Sequence, residues 1–387
     1  MNVPHQDTNR TMTRRQAIGG TATLLASLAA ASTLKAQGNP AEREETKTNR
    51  TVDPHTEFSG EYTRPRKPVK KIALEEHFCI PSMLYLAKDM EKSIAAGPME
   101  YYKKRLLDFD NLRIEEMDKY GIDLSVLSMT VPGVQLEPDV KKAVDLAKVA
   151  NDTLATAVQR HPSRLAGFAH LPLQAPNVAA DELERAVKHL GFKGALVNGS
   201  TNGEYYDAEK FYPVWERAEA LGVPIYLHPA NALEVTGSMA GYPELWGAMW
   251  GWTPETATHI LRLIVGGVFD RFPKATVITG HMGETLPAML WRLDSRFQIM
   301  KHTRAIAKMP SDYIRENLTI TTSGVFSFPP LQCAMLALGV DRIMFSVDYP
   351  YESTKEGTEF IEAAPISEPD REMICHGNAE RILKLSV

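Results

Sequence analysis

The chain is poor in cysteine: Cys79, Cys333 and Cys375 are the only three in 387 residues, odd in number and scattered. That excludes a disulfide framework and a thiolate zinc module, and leaves buried inert thiols as the reading of all three. No block of Lys or Arg occurs in the body of the chain and the net charge is −5, so the electrostatic footprint of a nucleic-acid binder is missing. No apolar run is long and pure enough to span a bilayer; the best, from Ile18 to about Leu34, is interrupted by Gly, Ser and Thr. No glycine-rich phosphate loop follows any strand-like run, which weighs against a dinucleotide fold. What is present is an ordinary globular composition, 44% hydrophobic and 24% charged, with length for one large domain or two medium ones.

Arg14 and Arg15 precede the mildly apolar stretch, which closes on small residues near Ala36. This is the layout of an export signal of twin-arginine type over residues 1–36, against the competing reading of a disordered tail with a chance Arg pair. Residues 37–69 are polar, contain Pro and are rich in Thr, Glu and Arg, as in a linker or N-terminal arm. The expected location is periplasmic or exported, with the cytoplasm as the alternative.

From residue 70 onward short apolar or β-branched runs alternate with longer amphipathic ones. The short runs are KIALEEHF, IDLSVLSMT, RLAGFAHLP, GALVNGS, VPIYLHP, ATVITGHM, LTITTSG and RIMFSVDYP. Between them lie stretches such as DVKKAVDLAKVANDTLATAVQRHP and FYPVWERAEALG, with apolar residues three and four apart. Strict β–α alternation calls for a parallel sheet with helical crossovers. Eight repeats predict an α/β fold, a (β/α)8 TIM barrel over residues 70–387, rather than an open doubly wound sheet.

A barrel of this kind does its chemistry at the C-terminal ends of its strands. Glu75 and His77 end the first strand and, two residues apart, share a face while Glu76 points the other way. His228 ends the fifth, His281 the sixth and Asp348 the eighth. Glu75, His77, His228 and Asp348 offer two imidazoles and two carboxylates, a set suited to one divalent ion, Zn²⁺ or Mn²⁺, with positions left for water or substrate. His281 is then free to polarise or hydrogen-bond a substrate oxygen. Glu284, three residues on, is placed either to bond the far ring nitrogen of His281 or merely to favour the start of the next helix. Asn198 ends the fourth strand, as a pocket-lining side chain or a turn residue. Trp246, Trp250 and Trp252 lie in the long segment after the fifth strand, either as a wall over a flat ring or as packing at a subunit contact. His170 and His259 read as structural.

Glu75-x-His77, His228, the GHMGE around His281, the DYPYE around Asp348 and the closing HGNAERIL together resemble the amidohydrolase superfamily over essentially residues 70–387. Most members open with His-x-His. Glu-x-His resembles the hydroxybenzoate decarboxylase branch of γ-resorcylate (2,6-dihydroxybenzoate) type, as do ALVNGS, WGWTPETATHILRL and LPAMLWRLDSRF. The resemblance implies Glu75, His77, His228 and Asp348 as metal ligands, His281 and Glu284 as the pair beside them, and Arg292 as an arginine near the substrate pocket. Read by itself, Arg292 is as well placed to bond within its own helix. Assembly into a dimer or tetramer is expected by analogy alone.

The expected activity is metal-dependent, non-oxidative decarboxylation of a small hydroxylated aromatic acid. Loss of CO2 from such a ring needs protonation of the ring carbon first, and Asp348 is the candidate donor with His281 and Glu284 as the relay. The alternative is a metal-dependent hydrolase of a lactone, ester or amide, with Asp348 as base. A catalytically silent ligand-binding protein is the third reading, disfavoured because every ligand type is present.

Overall fold

The short runs emerge as parallel strands: β1 Ile72–Phe78, β2 Leu124–Met129, β3 Leu165–Gly167, β4 Ala169–His170, β5 Ala195–Asn198, β6 Ile225–His228, β7 Val277–Thr279, β8 Leu318–Thr321 and β9 Ile343–Met344. The computed structural model of the protein describes residues 68–92, 96–232 and 237–385. The expected export signal of 1–36 and nearly all of the 37–69 arm lie outside the described residues. β3 and β4 are two pieces of one expected strand, parted at Phe168. Every pairing is parallel, in the orders β1-β2-β3 and β4-β5-β6-β7-β8-β9. Two junctions close the ring. Phe168 N–H donates to Leu127 O at 2.9 Å, and across the seam His77 N–H donates to Tyr349 O at 2.7 Å beside a parallel bridge between Glu76 and Tyr349. The strands form a closed (β/α)8 barrel.

Helices cover the outside for the reason their spacing suggests. In Val140–Arg160, Ala143, Ala147, Ala150, Leu154 and Ala157 fall on one buried face, and the Asp139 side chain caps the start by accepting from Lys142 N–H at 3.0 Å. Small residues on that face let the helix lie close to the barrel wall. Among the described residues no helix is long and apolar enough to cross a membrane.

The barrel interior is a separate apolar cluster: Ile72, Leu74, Leu124, Val126, Ala166, Phe168, Leu196, Tyr226, Ile278 and Met344, joined by Ala379 and Leu383 of the C-terminal helix Asn378–Leu383. Ala73, Phe78, Leu127 and Met129 belong instead to the outer layer between barrel and helices. Simple alternation from Ile72 and Leu74 would put Glu76, not Glu75, inside. A register shift in the β1–β2 pairing between Ala73 and Glu76 resolves this: three residues of β1 advance against two of β2. The bulge flips the parity, so one strand fills the core with Ile72 and Leu74 and still presents Glu75 and His77 inward above them.

Candidate metal centre

Four side chains from three strand ends meet here. One ligand atom from each of Glu75, His77, His228 and Asp348 lies within 4.8 Å of the others, and all four residues are buried. His77 Nε2 is 3.0 Å from Asp348 Oδ1, and His228 Nε2 is 3.2 Å from Glu75 Oε1. Three of the four are held by their other ends. Glu75 Oε2 accepts hydrogen bonds from the hydroxyls of Tyr226, Ser323 and Thr321, which leaves Oε1 bare. His228 Nδ1–H donates to Pro229 O at 2.8 Å, so Nε2 carries the lone pair. His77 Nδ1 lies 3.3 Å from Ser128 Oγ.

His77 Nε2, Glu75 Oε1 and Asp348 Oδ1 are buried with no hydrogen-bond partner. Unpartnered buried polar atoms are costly, and three converging on one point fit a divalent cation rather than a void. Two imidazole nitrogens and two carboxylate oxygens suit manganese or zinc. The four residues expected to be ligands are therefore the ones the fold brings together.

The backbone around the cluster is specialised. Gly280 packs against the Glu75 carboxylate so tightly that a β-carbon there would sit 2.3 Å from Oε2 and 2.9 Å from Oε1. The next five residues, His281 (φ 50°), Met282 (56°), Gly283 (79°), Glu284 (51°) and Thr285 (66°), form a left-handed turn. For side-chain-bearing residues this conformation costs roughly 1–2 kcal/mol each. The turn is tied down by Gly283 N–H to Gly280 O at 2.8 Å and His281 N–H to Ser323 Oγ at 3.1 Å. Its effect is to fold Glu284 back so that Oε1 lies 2.7 Å from His281 Nδ1, while His281 Nε2 faces Asp348 Oδ2 at 3.6 Å and Glu75 Oε1 at 3.8 Å. Of the two readings of Glu284, the ring-nitrogen partner is the one observed.

The electrostatics sort these groups. Burial would push the His281 imidazole down, but the Glu75 and Glu284 carboxylates prevail and hold its pKa well above the ordinary value. Burial would push Asp348 up, but the His281 and His77 imidazoles beside it prevail and hold it well below the usual carboxylate range. Burial pushes His228 well down, with His77 beside it adding to the effect, and so keeps it neutral as a ligand must be. Burial likewise raises Glu75, against the pull of His281 and His77; a dication beside it favours the ionised form.

Other expected site residues fare differently. Asn198 is buried, but its Nδ2 faces the carbonyls of Met129 (3.3 Å) and Thr130 (3.4 Å), tying β5 to the end of β2, and only its Oδ1 is left unbonded. Arg292 is exposed on the helix Leu286–Phe297, whose buried side is Leu286, Pro287 and Leu290. Two residues past Leu290, it stands about 200° round the helix from it. Among the described residues its side chain has no hydrogen-bond or ion-pair partner, so neither the pocket contact nor the bond within its helix is observed in the single chain. Trp252 reaches the centre, its ring 6.2 Å from that of His228 and its Nε1 donating to Asn231 Oδ1 at 2.6 Å, whereas Trp246 and Trp250 are exposed. His170 and His259 are structural, accepting from the N–H groups of Val134 (2.8 Å) and Tyr206 (3.1 Å). Cys79 and Cys375 are buried thiols pushed up to about 11 and about 12 by burial; Cys333 is only half-buried.

Sequence reasoning did not single out Tyr226, Thr321, Ser323 or Ser128. A signal existed: Tyr226 has the strand parity of His228, and Thr321 and Ser323 share parity with each other at the end of β8.

The Amidohydrolase family profile matches residues 53–385. Gamma-resorcylate decarboxylase from Rhizobium radiobacter is 43% identical over 334 residues, covering 81% of this chain and 98% of that protein. Gamma-resorcylate decarboxylase from Rhodococcus jostii (strain RHA1) is 42% identical over 327 residues, with the same coverage of 81% and 98%. Among solved structures, 2,6-dihydroxybenzoate decarboxylase complexed with 2,6-dihydroxybenzoate has a TM-score of 0.78 at 41% identity, covering 82% of this chain and 100% of that one. Dihydroxybenzoic acid decarboxylase from Polaromonas sp. JS666, with bound manganese and the inhibitor 2-nitroresorcinol, has a TM-score of 0.77 at 42% identity, covering 82% and 98%.

Proposed function

The chain belongs to the amidohydrolase family, and from that premise we propose that it is a metal-dependent, non-oxidative decarboxylase of a small hydroxylated benzoic acid, with 2,6-dihydroxybenzoate as the first substrate to test. The observation that carries the reading is the convergence of bare donor atoms from Glu75, His77, His228 and Asp348 beside the protonatable pair His281–Glu284. When bound, the divalent ion supplies a fixed positive charge that orients an anionic, oxygen-rich ring and stabilises charge developing on it.

The side chains supply the proton. The mechanism requires His281 protonated and Asp348 ionised at rest, the direction in which their carboxylate and imidazole neighbours push them. Arrival of an anionic ring beside Asp348 raises the cost of its negative charge, so the proton passes from His281 Nε2 to Asp348 Oδ2. Asp348 then gives it to the ring carbon that bears the carboxylate. A carbon–hydrogen bond forms and the carbon–carbon bond breaks. Its electron pair restores the aromatic ring, and CO2 leaves. Glu284 holds the His281 Nδ1 proton throughout, keeping Nε2 directed at Asp348.

The test is turnover of 2,6-dihydroxybenzoate by metal-loaded protein, with CO2 and resorcinol as products. Ring opening of a lactone without CO2 release from any hydroxybenzoate would overturn the reading in favour of a hydrolase. Arg14 and Arg15 ahead of the apolar stretch support export to the periplasm, testable by cell fractionation. Exposed Met289, Trp291, Ile299 and Met300 support assembly into a dimer or tetramer, testable by light scattering.

A further inference from the structure

One buried acid that the chemistry above leaves unused is Glu76, on the outer face of β1, 2% exposed and next to the equally buried Arg113 of the helix Leu112–Tyr120. Neither side chain enters the centre, yet both grip the backbone that does. Glu76 Oε1 accepts from Val347 N–H at 3.0 Å and from the Ser346 hydroxyl at 3.3 Å. The same Ser346 oxygen accepts from Glu75 N–H at 2.6 Å. Arg113 Nη2 donates to His77 O at 2.5 Å, and its guanidinium lies over the Tyr349 ring at 4.5 Å from the centroid. The pair therefore binds both sides of the seam where the barrel closes, with Glu75 and His77 on one strand and residues 346–349 on the other.

Asp348 sits between two of these attachments, and its backbone is strained. Its φ of 81° is a left-handed conformation that a residue with a side chain adopts only when its surroundings enforce it. Here they do: Val347 is held by Glu76 on one side, and on the other Tyr349 is held by His77 N–H through its carbonyl and by Arg113 under its ring. We propose that Glu76 and Arg113 are positioning residues, a lock on the outer face of the seam that sets the spacing of Glu75, His77 and Asp348 and thereby the affinity and symmetry of the metal centre. The inference rests on the metal centre described above and extends it to residues that touch neither ion nor substrate.

The test measures Mn²⁺ affinity and the electron paramagnetic resonance spectrum of bound Mn²⁺ in the full chain. Glu76→Leu, which removes the acceptor for Val347 N–H, is expected to weaken Mn²⁺ binding about tenfold or more and to alter the spectrum, in the range found when residues supporting metal ligands are lost. Glu76→Gln keeps an acceptor and is expected to stay within about threefold of wild type with an unchanged spectrum. Asn317→Ala, which removes buried bonds to the carbonyls of Pro273 and Ala275, is the control: it lowers thermal stability but leaves affinity and spectrum alone. Should Glu76→Leu not fold, Ser346→Ala, which cuts the link between Glu75 N–H and Glu76, is expected to show the same direction of change. Wild-type affinity and spectrum in Glu76→Leu, or in Ser346→Ala where it takes its place, would overturn the lock. So would equal weakening by Asn317→Ala. A wild-type chain that binds no Mn²⁺ would remove the centre itself, and the lock with it.

Discussion

Glu75 and Glu76 are neighbours of one type on one strand, both almost wholly buried, and they do opposite things. Glu75 Oε2 is saturated by three hydroxyls while Oε1 is bare and faces three other ligand residues. Glu76 Oε1 is filled by a backbone N–H and a hydroxyl, with a guanidinium beside the side chain. Burial does not separate the two, and neither does residue type. What separates them is whether a desolvated donor is left without a partner next to others in the same condition.

The comparison breaks most readily at Asp348, the other bare carboxylate. Asp348→Asn keeps the shape but not the exchangeable acid, and turnover is expected to fall roughly 10²–10⁴-fold with the fold retained by circular dichroism. Near-normal turnover would assign the proton to another group. Next comes Gly280→Ala, where the new methyl meets the Glu75 carboxylate. A loss of about 10–100-fold in Mn²⁺ affinity is expected, read by metal titration.

The outer face has its own signature in pH. Burial raises Glu76 from 4.5 to about 8, with Arg113 opposing and Asp348 adding. A carboxyl raised in the folded state binds protons that the unfolded chain has already lost, so stability falls as pH rises from about 4.5 to about 8. Glu76→Gln is expected to flatten that decline in denaturant unfolding of metal-free protein, by an amount on the order of a few kcal/mol across the window. An unchanged slope would mean that the Arg113 charge keeps Glu76 ionised throughout.

The smallest effect belongs to the structural imidazoles. His170 and His259 are pushed down to about 3 by burial, so the folded chain refuses protons that the unfolded chain accepts below 6.5. Stability is lost as pH falls from about 6.5 toward 3. His259→Gln is expected to lessen the loss by about 1 kcal/mol or more near pH 5, measured by denaturant unfolding.

Much of this was legible in the sequence because strand ends announce themselves. His228, His281 and Asp348 each close a short β-branched run, and a closed barrel brings such ends to one rim whatever their separation along the chain. The bulge in β1 was not legible: IALEEHF alternates acceptably in either parity, and only the partner strand reveals that three residues run against two. The left-handed turn at 281–285 was hidden for a similar reason. Met282, Glu284 and Thr285 carry no local preference for positive φ, and the surrounding hydrogen bonds impose it. Arg292 shows the two levels of reading diverging. A motif match carried it toward the pocket, while the apolar spacing of Leu286 and Leu290 already turned it outward.

The central claim is that four protein atoms at the barrel mouth hold the one ion on which turnover depends. The direct measurement is to strip the full chain with chelator, titrate Mn²⁺ back and follow CO2 release from 2,6-dihydroxybenzoate. Activity that is absent at first and returns with one ion per chain, and does not return in His77→Ala, is the predicted result; full turnover by the stripped protein would contradict it.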